Sequence, residues 1–414
     1  MMGAVVDVGA IALLEHLPAM VFVFCFGACV GSFLNVVVYR LPAGMSVISP
    51  PSRCSTCGVR LRFFRENVPI LGWFLVGGKC RTCGERVSAQ YMIIEVIVAL
   101  LFLGLYVILF TRPGAAWWGE IGGPWWRVNA FARAWPAYFA LAFLLSALLA
   151  MTLIDARTFT IPIEIPNFVT GAAFILLPLQ ALLPRRDHFR QDWPFLGTDW
   201  PWALAAIGAM AGVCVAAVLL TTRRLPRSFA DYAEYVKEGD ALAVYPHARR
   251  EMKWEILFLL PVMVGGVVGW WTARWTGLSG APGEFLQALS GAFLGYLAGG
   301  AIVWGVRIAG TFGFGREAMG MGDVHLLAAV GAVLGPVEPL LIFFAAPFSG
   351  ILWVAMAPIL GRFVRVFHRQ LPFGPHLAVA TLLVMLGRPW IEKGFAWWGI
   401  PLPARGFVTA SPAP

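Results

Sequence analysis

Ten apolar stretches, most of them near twenty residues long, leave this chain little choice of fold. They run at roughly 17–39, 91–111, 137–155, 165–183, 202–221, 256–273, 285–309, 323–336, 338–360 and 373–388. A helix needs about 20 apolar residues to cross the hydrocarbon core of a bilayer. Hydrophobic residues make up 59% of the chain and charged residues only 13%, and the mean hydropathy is +0.76. A soluble domain of this size could not hide that much apolar surface. The sequence therefore predicts an all-α polytopic membrane protein with about eight to ten transmembrane or re-entrant helices. The stretch 323–336 is short and reads as a partial or tilted helix.

Charge placement orients the spans. Asp7 and Glu15 precede the first basic residue, Arg40, which lies beyond the first span. That order is wrong for a signal peptide and puts the N-terminus outside and Arg40 inside. Alternating spans then give three cytoplasmic stretches, 40–90, 222–255 and 361–372. Together with Arg157, Arg307 and Arg316 they hold 21 of the 31 lysines and arginines. The net charge of +9 is thus a positive-inside bias, and no nucleic-acid partner is expected. The partner implied by composition is the lipid bilayer.

The first inside stretch carries Cys54-Ser-Thr-Cys57 and Cys80-Arg-Thr-Cys83. Two such pairs offer four thiolates on two turns, the closed tetrahedral set of structural zinc. Gly58 and Gly84 follow the pairs as turn residues, and Arg53, Lys79, Arg81 and Arg86 favour thiolates. Two disulfides are the alternative, which a cytosolic placement disfavours. Four cysteines leave no open position for a catalytic metal. The loop between the pairs packs on the knuckle or on the membrane surface. Cys25, Cys29 and Cys214 lie in apolar spans and read as packing residues. Tryptophans 117, 118, 125, 126, 193, 200, 202, 270 and 271 read as an interfacial belt.

Two aspartates stand at the ends of apolar runs. Asp155 closes 137–154, with Pro162 breaking the chain beyond it. Asp323 ends Gly320-Met-Gly-Asp323, and five glycines from Gly310 to Gly322 allow a bent or re-entrant backbone. An ionisable group at membrane depth costs roughly 2.5–3.5 kcal/mol on insertion scales and marks a functional site. Two carboxylates brought together cannot both ionise easily, so one keeps a proton. The ionised member then takes a proton from water while the other polarises a peptide carbonyl. The plainer reading is that Asp323 caps the helix that follows it.

These residues, taken together, resemble the type IV prepilin peptidases, bacterial intramembrane aspartyl proteases of the Gly-x-Gly-Asp kind. The likeness rests on Gly31-Ser-Phe-Leu-Asn-Val-Val-Val-Tyr-Arg40-Leu-Pro42, the two cysteine pairs, Tyr91-Met-Ile-Ile-Glu95, Asp155 with Pro162, Arg316-Glu-Ala-Met-Gly-Met-Gly-Asp323 and Leu371-Pro-Phe-Gly-Pro375. It covers roughly 18–180 and 285–390. The resemblance implies an aspartic endopeptidase with Asp155 and Asp323 as catalytic dyad and Cys54, Cys57, Cys80 and Cys83 as zinc ligands. Its substrates would be prepilin or pseudopilin leader peptides, cut at the cytoplasmic face of the bacterial inner membrane. Many members also methylate the new N-terminus with S-adenosylmethionine, and by motif position that activity falls to Gly31, Arg40 and Glu95. The family usually has lysine two residues after the second aspartate; here it is His325.

The resulting layout is a first transmembrane helix (1–39), a zinc-knuckle domain (40–90) and membrane helices with the first aspartate (91–183). A variable middle region (184–284) follows, then membrane helices with the Gly-x-Gly-Asp motif (285–400) and a tail (401–414). Within the middle, 222–255 carries seven basic and six acidic residues and reads as a solvated loop or small helical lid. His188 and His247 lack metal-ligand companions. Two other classes stay open: a transporter or channel with paired intramembrane aspartates, and a non-catalytic pilus or secretion assembly factor. A transporter would carry more intramembrane polar groups and an internal repeat.

Overall fold

A computed structural model describes residues 8–62, 64–111, 119–183, 195, 197–235, 245–360, 372–400 and 402. Nearly all of the expected cytoplasmic stretch 361–372, His188, Trp117, Trp118, Trp193 and nearly all of the tail lie outside these residues. Among the described residues the chain is helical, and eight helices are long and apolar enough to cross a membrane. It divides into two compact units, Met1–Pro162 and Ile163–Pro414.

In the first unit, α1 (Val8–Arg40) runs antiparallel to α3 (Ala89–Phe110), and α4 (Gly119–Thr158) completes a three-helix core. The register of α1 on α3 follows from small residues every fourth position. Gly27 meets Ala99 and Phe102, and a Cβ built on Gly31 would stand 2.7 Å from the Glu95 Cα. One turn further, the Asn35 amide donates to the Tyr91 carbonyl at 2.9 Å. Between membrane helices apolar burial gives no net drive, so backbones that approach at small residues and interhelical hydrogen bonds hold the pair. A cluster of rings, including Phe102, Tyr106, Phe131 and Tyr138, fills the remaining space. The Tyr138 hydroxyl donates to the Phe102 carbonyl at 2.8 Å. Between α1 and α3 lie the cysteine knuckles and the short α2 (Leu71–Leu75).

The second unit holds α5 (Glu164–Leu182), α6 (Trp200–Thr221), α7 (Tyr232–Tyr235), α8 (Ala248–Trp275), α9 (Glu284–Phe314), α10 (Met321–Leu334), α11 (Glu338–Leu360) and α12 (Phe373–Trp397). Two glycine-lined antiparallel pairs organise it. On α6 and α8, Gly208 lies against Gly265, and Gly269 against Leu204, with added Cβ atoms falling 2.1 and 2.0 Å from carbonyl oxygens. On α9 and α10 the same happens between Gly295 and Gly331 at 2.0 Å and between Gly299 and Leu327 at 2.2 Å. No side chain fits at either place. At 14 residues, α10 is too short to span alone, as its sequence foretells.

Several sequence expectations need revision. Gly310 and Gly313 lie inside α9, so the non-helical connector is confined to 315–320, where Gly315 takes φ 71°. Trp125 and Trp126 are buried within the first unit rather than set in an interfacial belt, because their indoles stack edge-to-face at 4.9 Å in its ring cluster. Cys25, Cys29 and Cys214 are exposed on their helices, not packed. The described parts of 222–255 are also more than a solvated loop, since Tyr245, Glu251 and Glu255 are buried.

Candidate functional site

The cysteine knuckles are two copies of one local structure. Cys54 N–H donates to the Val59 carbonyl and Gly58 N–H to Cys54; Cys80 N–H donates to Glu85 and Gly84 N–H to Cys80. Bridges Arg53–Arg60 and Lys79–Arg86 flank the turns, and Gly58 and Gly84 both take φ 70°, a conformation glycine adopts without strain. Backbone N–H groups of Cys57 and Thr56 lower the Cys54 thiol. Those of Cys83 and Thr82 bring Cys80 down to about 6. The Glu85 N–H acts likewise on Cys83, but desolvation and the three neighbouring thiols outweigh it and push that thiol up to about 12.

The four sulfurs lie within 4.8 Å of one another, with Cys54–Cys83 and Cys57–Cys80 at 3.8 Å. Zinc–sulfur bonds of about 2.3 Å give a tetrahedron with edges of about 3.8 Å, so the geometry fits a four-cysteine zinc centre and the cysteines are free of disulfides. Zinc held by Cys54, Cys57, Cys80 and Cys83 would tie the two knuckles together structurally. The intervening loop is pinned by the Arg81–Glu66 ion pair at 2.9 Å, with the second Glu66 oxygen accepting the Arg62 N–H at 2.9 Å.

The three residues placed by motif at a methyl-donor site each have a packing role. Gly31 is the close-approach point of α1 on α3. Glu95, opposite it, accepts the Ile70 N–H at 2.6 Å, holding Ile70 at φ 63° at the start of α2. Arg40, the last residue of α1, donates to the Ser46 carbonyl at 3.1 Å and closes the turn that leaves the helix. A donor molecule gains no cradle at Gly31, where even a Cβ does not fit.

Asp155 sits in the last turn of α4 and is buried at 4% exposure. The helix continues to Thr158, past the aspartate where the sequence places its end. Its carbonyl accepts the Phe159 N–H at 2.9 Å, and Phe159 takes φ 53°. A bulky residue in the left-handed region is an outlier that costs of order 1–3 kcal/mol and is concentrated at functional sites.

Asp323 lies in the first turn of α10, half-buried. The N-cap is Gly320, so Asp323 is the third helical residue rather than the cap. An added Cβ on Gly320 would sit 3.6 Å from an Asp323 carboxylate oxygen. His325, two residues on, shares no helix face with Asp323. Glycine at 322 weakens this turn, since a glycine inside a helix costs about 1 kcal/mol against alanine.

The connector just ahead of this turn is held from α9, with α8 orienting the arginine that holds it. Arg307, 2% exposed on α9, pairs with Glu255 of α8 through Nη2 and Nε at 3.0 and 3.1 Å. Trp304 Nε1–H donates to the same carboxylate at 2.7 Å. The remaining Arg307 nitrogen, Nη1, donates to the Glu317 carboxylate and to the Met319 carbonyl. Thr311 Oγ1 accepts the Ala318 N–H at 3.2 Å, and Ala318 packs on Gly310. Sequence reasoning missed Arg307, Glu255 and Glu317. The available signal was Arg307 itself, an ionisable residue within the apolar stretch 285–309.

Residues 25–109 match the family model described as Bacterial Peptidase A24 N-terminal domain. Residues 253–355 match the one described as Type IV leader peptidase family, which begins upstream of the motif-based limit at 285 and takes in Glu255. A Myxococcus xanthus relative named Prepilin leader peptidase/N-methyltransferase is 46% identical over 82 residues, 20% of this chain and 24% of its own length. One of the same name from Klebsiella pneumoniae is 30% identical over 199 residues, 46% of this chain and 68% of its own. Another, from Aeromonas salmonicida, is 23% identical over 93% of this chain and 96% of its own length. The chain spans less than half the length of three of the relatives it matches. No solved structure matches it.

Proposed function

This chain belongs to the type IV leader peptidase family, and on that premise we propose that it is a membrane aspartic endopeptidase. It removes the leader peptide of type IV prepilins or pseudopilins at the cytoplasmic face of a bacterial inner membrane. Asp155 and Asp323 form the catalytic dyad. The observation that carries this reading is Asp323 in the first turn of α10, within the second matched stretch, together with the buried Asp155 in the last turn of α4.

The chemistry follows from like charges sharing one proton. The ionised carboxylate accepts a proton from a water as that water attacks the scissile carbonyl carbon. The protonated carboxyl donates to the carbonyl oxygen, and the proton gained by the first then goes to the leaving amine. Zinc in the cysteine centre stays out of these steps, since four thiolates leave no open coordination position. A basic leader followed by an apolar helix suits the substrate, its helix in lipid and its cleavage site at the interface. Glu66 is engaged by Arg81, which leaves the exposed Glu85 as the knuckle's carboxylate for a basic leader.

The relatives' names support a second activity, N-methylation of the new N-terminus with S-adenosylmethionine as donor. By motif position that activity falls to Gly31, Arg40 and Glu95, which lie along the α1–α3 contact and the chain that leaves it. The test is incubation of the purified full-length protein in lipid with membrane-embedded prepilins, the products being mapped by mass spectrometry. A mature pilin cut at its leader junction supports the peptidase, and a further 14 Da on it (one methyl group, by mass, about 14 Da) when donor is added supports methylation. If none of several prepilins is cut, the transporter and assembly-factor readings take precedence.

A further inference from the structure

The antiparallel register of α9 on α10 places Arg307 level with the chain just ahead of α10. Counting outward from the Gly295–Gly331 and Gly299–Leu327 contacts, each step of four residues toward the α9 C-terminus moves four back toward the α10 N-terminus. Two further steps bring Arg307 opposite Met319, the carbonyl to which its Nη1 donates. The glycine contacts hold the body of α10, and Arg307 adds a hold on the chain just ahead of its first turn.

Arg307 is itself immobilised. Glu255 holds the guanidinium at two nitrogens, and Trp304 fixes the carboxylate. The Phe229 ring lies 5.2 Å from the Arg307 Cζ, and Phe229 N–H is held by the buried Glu251 at 2.8 Å. Tyr245 donates to Asp231, with Glu251 3.3 Å away, so the described residues from Phe229 to Asp231 and from Tyr245 to Glu251 are tied together beside the arginine. A buried ion pair of this kind is a weak stabiliser, since desolvation offsets most of its Coulomb gain. Its value is geometric: a planar fork with five donors orients several acceptors at once.

We propose that Arg307, oriented by Glu255 and capped by Phe229, is a positioning residue that sets Asp323 in place by clamping Glu317 and the Met319 carbonyl. This rests on the reading of Asp323 as catalytic. The clamp also gives the middle segment a task, keeping water from competing for Arg307.

The test uses full-length protein in lipid. Glu317 is 38% exposed, so Glu317→Ala breaks the clamp from its accessible side without burying a lone charge. It should lower kcat for prepilin cleavage by about 10- to 100-fold, the cost of a misplacement near 1 Å, with KM within twofold. Arg307→Lys should lose kcat similarly, and Glu317→Asp should recover part of it. The control is the double variant Arg388→Gln/Glu338→Gln, which removes another buried ion pair of this unit; it should lower Tm and leave kcat within twofold. Hydrogen–deuterium exchange across 319–324 should quicken in Glu317→Ala and Arg307→Lys. That exchange reads the clamp even if no prepilin is cut, in which case the peptidase reading alone fails. Parental kcat and unchanged exchange in Glu317→Ala would overturn the clamp, as would an equal kcat loss in the Arg388/Glu338 control.

Discussion

The cysteine cluster and the Asp323 turn are both glycine-containing turns, and they are held in opposite ways. Each knuckle closes on itself: its amides bond to its own sulfurs and carbonyls, and its twin supplies the other two ligands. The connector just ahead of the Asp323 turn is held from α9, through Arg307 and Thr311, with Glu255 of α8 orienting the arginine. A local site is specified by a few adjacent residues and fails as a whole when one is lost. A site held from a distance fails by degrees, through any of several residues far along the chain.

The largest effect should come from the local site. Replacing Cys54 or Cys80 by serine should take bound zinc from one per chain to none, measured by elemental analysis, and open residues 45–88 to protease. Structural zinc contributes on the order of 10–16 kcal/mol of apparent binding free energy to such small folds. Retained zinc in either variant would show that the four sulfurs do not act as one set.

Next comes the frame of the distant site. Gly331→Leu should destabilise the second unit by about 3 kcal/mol, at the upper end of overpacking costs, because its Cβ already meets the Gly295 carbonyl at 2.0 Å. Zinc content should be unchanged. Thermal unfolding beside zinc analysis separates the two, and a Gly331→Leu protein that lost its zinc would erase the distinction between local and distant support.

A smaller change tests how self-sufficient the knuckle is. Glu66→Gln removes the charge opposite Arg81 while keeping an acceptor for the Arg62 N–H, and should cost about 1 kcal/mol. Zinc stoichiometry should stay at one, and a fall would mean that the loop helps to hold the metal.

The least effect concerns the cap on Arg307 and depends on pH. The Tyr245 hydroxyl, and after it Arg250, hold the Asp231 carboxyl below its usual range. A group with a depressed folded pKa adds stability above its unfolded value, and that stability is lost as pH falls through the folded one. Protease sensitivity of the middle segment should therefore be steady near neutrality and rise only below the ordinary carboxylate range. Asp231→Asn should flatten that rise, and an unaltered profile would remove Asp231 from the account.

The same contrast explains what could be read before folding. Each of the ten apolar runs falls on a helix, because span length is set by the bilayer, though α4, α8 and α12 extend well beyond their apolar runs. The cysteine pairs gave the knuckles, since ligands three apart with a following glycine encode their own turn. Asp155 and Asp323 stood out as charges at the ends of apolar runs. The clamp was illegible because its members lie on three segments, and only the glycine register of α9 on α10 brings Arg307 to Met319. Trp125 and Trp126 misled for a related reason: interfacial and buried tryptophans look alike in sequence, and ring packing with neighbours decides between them.

The central claim is that Asp155 and Asp323 act as one catalytic unit. The most direct measurement is kcat for cleavage of a membrane-embedded prepilin by the parent, Asp155→Asn, Asp323→Asn and the double variant, all confirmed as folded. The account predicts that each single change lowers kcat by at least about 10³-fold and that the double variant is no worse than the poorer single, as for residues working together. A folded single variant that keeps kcat within about tenfold of the parent, well short of a general acid–base contribution, would contradict it.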